Sequence, residues 1–143
     1  MQIRDIMTPN VEVTELTTNL KEAATKMKTL NVGSLPVREG EQLVGMITDR
    51  DIVIRGVAEG SDPNKTTVST VMTSDLVYCF EDQDVQEAAQ VMSDRQIRRL
   101  PIVNREHQLV GIVSLGDLAV DGRDDDLSGE ALEEISKPAE PTR

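Results

Sequence analysis

Apolar positions along this chain follow two periods that alternate in a fixed order. Leu20, Ala23, Ala24, Met27 and Leu30 recur at the spacing of one helix face. Asn19 stands just before that face and Glu22 three residues later, which is the sequence form of a helix N-terminus. Val11 to Thr14, ahead of it, reads as a short strand by composition. After the helix, Leu35-Pro36-Val37 opens another strand, where proline is tolerated at an edge or first position. A turn over Arg38 to Glu41 returns the chain into Leu43, Val44, Met46 and Ile47, a strand that contains Gly45. Glycine inside a strand marks close approach by another backbone or by a ligand. The strand runs into Thr48-x-x-Asp51, a hydroxyl followed three residues later by a carboxylate, and a second helix is expected from Asp49 to about Glu59.

The same order then repeats. A shift of 65 residues places Met7-Thr8 on Met72-Thr73, Glu22-Ala23-Ala24 on Glu87-Ala88-Ala89, Met27 on Met92, and Leu35-Pro36 on Leu100-Pro101. One extra residue near His107 makes the shift 66, after which Gly45 falls on Gly111, Thr48 on Ser114 and Asp51 on Asp117. Leu76 to Phe80 becomes the second first strand, and Asp84 the second N-cap. The pattern predicts a mixed α/β fold of two tandem β-α-β-β-α units. The expected bounds are 1–60 for the first repeat, 61–68 for a turn-rich connector, 69–120 for the second repeat and 121–143 for a tail. Strands joined through a helix should be parallel with a right-handed crossover, and hairpin strands antiparallel.

Composition narrows the picture. Six Met, one Phe, one Tyr and no Trp among 143 residues predict an aliphatic core with the Met residues as filler. The formal charge of −11 argues against a nucleic-acid binder, whose affinity rests on clustered Lys and Arg. No apolar run approaches the ~18 residues of a membrane span, and the first ten residues carry no signal-peptide core, so a cytoplasmic location is expected. Cys79 is alone, which excludes an internal disulfide and a cysteine metal cluster and favours a buried thiol. Asp121 to Asp126 holds five charges in six residues, and the tail beyond offers only Ala131, Leu132 and Ile135 as a docking turn. His107 sits in a turn with no Cys or Ser partner nearby, and no phosphate loop, nucleophile elbow or metal-spaced ligand set occurs. An enzyme is not expected.

Taken singly, Thr48-x-x-Asp51 and Ser114-x-x-Asp117 are helix caps worth about 1 kcal/mol each. Two copies at matched positions point further. The same geometry leaves backbone N–H groups and a hydroxyl where a phosphate can bind. A carboxylate offers only acceptors, which suits two vicinal ribose hydroxyls.

These combined motifs, a Met-Thr opening, LPV or LPI, and a terminal G-h-h-T/S-x-x-D in each of two tandem units, resemble the CBS domain pair, named for cystathionine β-synthase. The resemblance covers roughly residues 3 to 120, and stand-alone bacterial proteins of the hypoxic-response type are similar. It implies a pseudo-two-fold pair whose two clefts bind adenosine compounds such as AMP, ATP or S-adenosylmethionine, with no catalytic cofactor. Asp51 and Asp117 would hold ribose hydroxyls, with Thr48 and Ser114 beside them and Thr8 and Thr73 as further family-matched positions. Arg50, Arg98 and Arg99 are phosphate candidates. Their counterparts Gly116, Gly33 and Ser34 carry no charge, so the clefts should differ. The function implied is a regulatory nucleotide sensor for a partner protein the sequence does not name, the alternative being an interaction adaptor with vestigial clefts. Ile52, Val53, Ile54, Val57 and Ala58 cover more than the stripe one core contact would bury. With the resemblance, this predicts a homodimer.

Overall fold

A computed structural model describes residues 1–121, with the side chains of the last two left aside. The tail and its expected docking turn at Ala131, Leu132 and Ile135 lie outside the described residues. The chain divides into two compact units that do not follow the repeats strictly. One is made of Glu12–Leu76 with His107–Leu109; the other joins Met1–Val11 to Val77–Glu106 and the chain from Val110 onward.

The first unit holds a three-stranded sheet in the order β1 (Thr14–Glu15), β2 (Ser34–Glu39), β3 (Gln42–Thr48). β1 and β2 are parallel, with Thr14 opposite Val37, and β2 and β3 antiparallel, as the connection lengths require. Between β1 and β2 runs α1 (Leu20–Leu30), whose N-cap Asn19 accepts from Glu22 N–H at 2.8 Å. The helix stops at Asn31, which turns left-handed at φ 56° and returns its N–H to the last turn. Leu20, Ala23 and Met27 of α1 are buried against Leu35, Val37 and Ile47 of the sheet. Ala24 and Leu30 are exposed, so the buried stripe is narrower than the sequence suggests.

The second helix departs from expectation. Only Asp49–Asp51, α2, is α-helical; Ile52–Val57 continues as a wider π-helix. Ala58 N–H bonds Val53 O at 2.8 Å, and Ser61 N–H bonds Gly56 O at 3.1 Å. The β-branched run Ile52-Val53-Ile54 weakens α preference, and two contacts hold the wide turn. Gly56 lies so near α1 that a Cβ would come within 2.9 Å of Leu20 Cδ1. Ile52 is buried in the same core. Val53, Ile54 and Val57 are left 52, 49 and 63% exposed.

A short helix not expected from the sequence, α3 (Val68–Val71), completes this core. It opens the second repeat yet packs in the first unit: Val68 N–H bonds Thr18 O at 2.7 Å, and both its valines are buried.

The other unit is built alike, with the sheet order β4 (Cys79–Phe80), β5 (Arg99–Val103), β6 (Leu109–Ser114) and with α4 (Val85–Arg95) and α5 (Leu115–Asp121). β4 and β5 are parallel. Asp84 caps α4 by accepting from Gln86 N–H at 2.9 Å, one residue earlier than the box with Glu87 predicts. The opening residues of the chain play here the part that α3 plays in the first unit. Ile3 and Ile6, at the same spacing as Val68 and Val71, are buried among Ala88, Met92, Leu100 and Ile102. Their backbone is tied by Ile3 N–H to Gln83 O at 2.8 Å and Arg4 N–H to Glu81 O at 2.9 Å. Cys79 is buried in this cluster, and burial, with the charge of Glu87 second, pushes its thiol up to about 11.

Candidate functional site

In the first unit, β3 delivers Thr48 and Asp51 to one turn. Thr48 Oγ1 accepts from Asp51 N–H at 3.0 Å, and Asp51 Oδ2 accepts from Thr48 N–H at 3.0 Å, a reciprocal capping box. Thr73 joins them. Its backbone exchanges two hydrogen bonds with Met46, at 2.8 and 3.0 Å, and its hydroxyl donates to Asp51 Oδ2 at 3.5 Å. Gly45 is the reason this segment can lie so close: a Cβ there would stand 2.7 Å from Thr73 O and 3.0 Å from Met72 Sδ. Of the two causes for a strand glycine, a second backbone is the one realised here.

Asp51 is only 9% exposed, yet Oδ2 takes all the donors it has among the described residues. Oδ1 makes no hydrogen bond among the described residues. A carboxylate oriented through one oxygen keeps acceptor capacity on the other for the hydroxyls of a ligand.

The free backbone donors expected at this turn are not there. Asp49 N–H bonds Gly33 O at 2.9 Å, Arg50 N–H bonds Asp49 Oδ1 at 2.8 Å, and Asp51 N–H bonds Thr48 Oγ1. Arg50 is exposed on the same turn. Asp49 was not singled out by the motif; its signal was a second carboxylate at the first helical position, where the other repeat has Leu115.

The second unit repeats the box with different surroundings. Ser114 N–H bonds Asp117 Oδ2 at 2.8 Å, and Asp117 N–H bonds Ser114 Oγ at 3.2 Å. Thr8 exchanges two backbone bonds with Ile112, at 2.8 and 3.0 Å, and Gly111 makes room for Met7 as Gly45 does for Met72. Thr8 is exposed, whereas Thr73 is half-buried. Leu115 N–H reaches Arg98 O at 3.3 Å, matching Asp49 and Gly33. Arg98 and Arg99 are exposed, with no ion pair among the described residues.

A chain of two α/β units, each closing a β-hairpin on a hydroxyl-carboxylate box, defines a tandem-repeat architecture. The CBS domain model matches residues 3–56 and 68–120, and the chain belongs to the CBS domain family. Over 134 residues it is 46% identical to the CBS domain-containing protein YhcV of Bacillus subtilis, covering 94% of each chain. It is 40% identical over 117 residues to hypoxic response protein 1 of Mycobacterium tuberculosis, covering 81% of each. A structure of Hypoxic Response Protein I with two coordinated zinc ions has a TM-score of 0.76 at 38% identity, over 83% of this chain and 97% of that one. The CBS domain pair of protein MJ0100, solved with 5-methylthioadenosine and S-adenosyl-L-methionine, has a TM-score of 0.70 at 29% identity, over 83% and 93%. Among the described residues no three His, Cys, Asp or Glu side chains lie together as metal ligands would. Nor is any described helix long and apolar enough to cross a membrane.

Proposed function

We propose that this chain is a non-catalytic regulatory module of the cytoplasm that binds an adenosine compound such as AMP or ATP and reports its level, in the manner of an energy sensor, to a partner protein. The observation that carries the reading is Asp51: a buried carboxylate whose Oδ2 is doubly held while Oδ1 makes no hydrogen bond among the described residues. Vicinal ribose hydroxyls are donors of the right kind and spacing for it, and Asp117 offers a second such carboxylate. Thr48 and Ser114 hold the carboxylates; Thr73 orients Asp51, and Thr8 stands at its matched position. Arg98 and Arg99 supply positive charge for phosphate, and Arg50 stands beside Asp51 in the first box. The adenosine ligands of the MJ0100 pair support the choice of ligand class.

Val53, Ile54 and Val57 form an exposed apolar face on the π-helical turn, and we assign it to a second copy of the chain, giving a homodimer. A thermal-shift panel of AMP, ADP, ATP, NAD and S-adenosylmethionine at millimolar concentration tests the ligand. At ~100 times its dissociation constant the true ligand adds about 2.7 kcal/mol of stability. No shift with any of the five would return the chain to a protein-interaction adaptor.

A further inference from the structure

The two boxes differ in charge at matched positions. In the first, Asp49 fills the place of Leu115, exposed and with its carboxylate bonded to the backbone of the same turn. Oδ1 accepts from Arg50 N–H at 2.8 Å, while Oδ2 lies 3.1 Å from where a Cβ on Gly33 would stand. Gly33 is itself the counterpart of Arg98, and the backbone bond pairing the two strand ends is kept in both units. One copy thus puts a carboxylate where the other puts an arginine and a leucine. At the matched sequence positions, Asp49, Arg50 and Asp51 sum to one negative charge, and Arg98, Arg99 and Asp117 to one positive charge. A phosphate brought to the first turn finds Arg50 N–H already taken by the Asp49 carboxylate, and two like charges competing for one donor repel.

We propose that Asp49 is a specificity residue that selects against phosphate, so that one chain holds two sites of opposite preference. The Asp51 site takes an adenosine whose 5′ substituent is uncharged or cationic, and the Asp117 site takes an adenosine phosphate. Arg50 does not reverse this, because Asp49 and Asp51 on the same turn outnumber it. The proposal rests on the adenosine reading above and deepens it.

Calorimetric titration of single-site chains with adenosine and with AMP is the test. Asp51→Ala leaves the Asp117 site, and Asp117→Ala leaves the Asp51 site. The first variant is expected to prefer AMP over adenosine by about tenfold, and the second to show no preference for AMP or a reversed one. Asp49→Asn, added to Asp117→Ala, keeps an acceptor for Arg50 N–H and removes the charge; it should shift the AMP-to-adenosine ratio toward AMP by about tenfold, equivalent to 1.4 kcal/mol. Should an alanine variant fail to fold, Asp49→Asn in the otherwise native chain still reports, as a gain in AMP stoichiometry or affinity with adenosine binding unchanged. Equal AMP preference at the two sites, or a ratio that Asp49→Asn leaves unmoved, overturns the proposal while the adenosine reading stands. No heat from either probe in the native chain overturns both.

Discussion

Thr73 donates its hydroxyl to Asp51 Oδ2 at 3.5 Å, joining the opening of the second repeat to the helix that closes the first. The bond is long, and its value lies in direction: with Thr48 N–H it occupies one oxygen of the carboxylate and leaves the other for a ligand. Thr73→Val keeps the shape and removes the donor. Stability by urea denaturation is expected to fall by about 0.5–1.5 kcal/mol, the net scale of one hydrogen bond. Ligand affinity at the Asp51 site should fall with it; a change in stability with unaltered affinity would reduce Thr73 to a packing role.

Gly45 and Gly111 admit neighbours that no Cβ would allow, but the neighbours differ. At Gly45 the nearest atom is a backbone carbonyl oxygen, Thr73 O at 2.7 Å, with Met72 Sδ at 3.0 Å; at Gly111 it is the side chain of Met7, Sδ at 2.5 Å and Cγ at 2.9 Å, with the carbonyl Thr8 O farther off at 3.1 Å. A thioether can swing aside, whereas a paired carbonyl cannot. Gly45→Ala is therefore expected to cost about 1–3 kcal/mol and Gly111→Ala less. Met7→Ala should recover part of the Gly111→Ala loss, which a double-mutant cycle measures.

Cys79 gives a pH signature at the alkaline end. Burial raises its thiol to about 11, so the folded chain holds the proton more tightly than the unfolded one. Its stabilising contribution is complete below pH 9, and it is lost as pH climbs through about 11. In the native chain at pH 8 an aromatic disulfide reagent should react slowly, and quickly once urea is added. Fast native labelling would place the thiol at the surface.

The exposed Val53, Ile54 and Val57 make a prediction about mass. Light scattering at micromolar concentration should return a dimer for the native chain and a monomer for Ile54→Glu, with circular dichroism unchanged. A native monomer would leave the apolar face to another partner.

Local signals explain what was legible in the sequence. Asn19 and Asp84 announce their helices because a cap is satisfied within three residues, and the period-two runs with their glycines gave the hairpins. What failed was set at long range. β1 begins at Thr14 rather than Val11 because its extent is fixed by pairing with Val37 and Arg38. Val68 closes the expected connector and Val71 opens the expected second repeat, and nothing nearby says that they fill the core beneath Leu20. The π-helical turn depends on Gly56 against Leu20, thirty-six positions away in the chain. At the boxes, Thr48, Asp51, Ser114 and Asp117 sit in their predicted bonds, whereas the occupation of the first-turn amides by Gly33 O and Asp49 Oδ1 needed coordinates.

On the proposed function, the two boxes bind adenosine compounds rather than merely cap helices. Isothermal titration of the native chain with an adenosine ligand identified by thermal shift, beside Asp51→Ala and Asp117→Ala, tests it directly. Each substitution should abolish or weaken one binding event by roughly 1.5–3 kcal/mol, the scale of a hydrogen bond to a charged group, while unfolding free energy falls only by a cap of about 1 kcal/mol. Loss of stability in both variants with the binding isotherm unchanged would contradict the account.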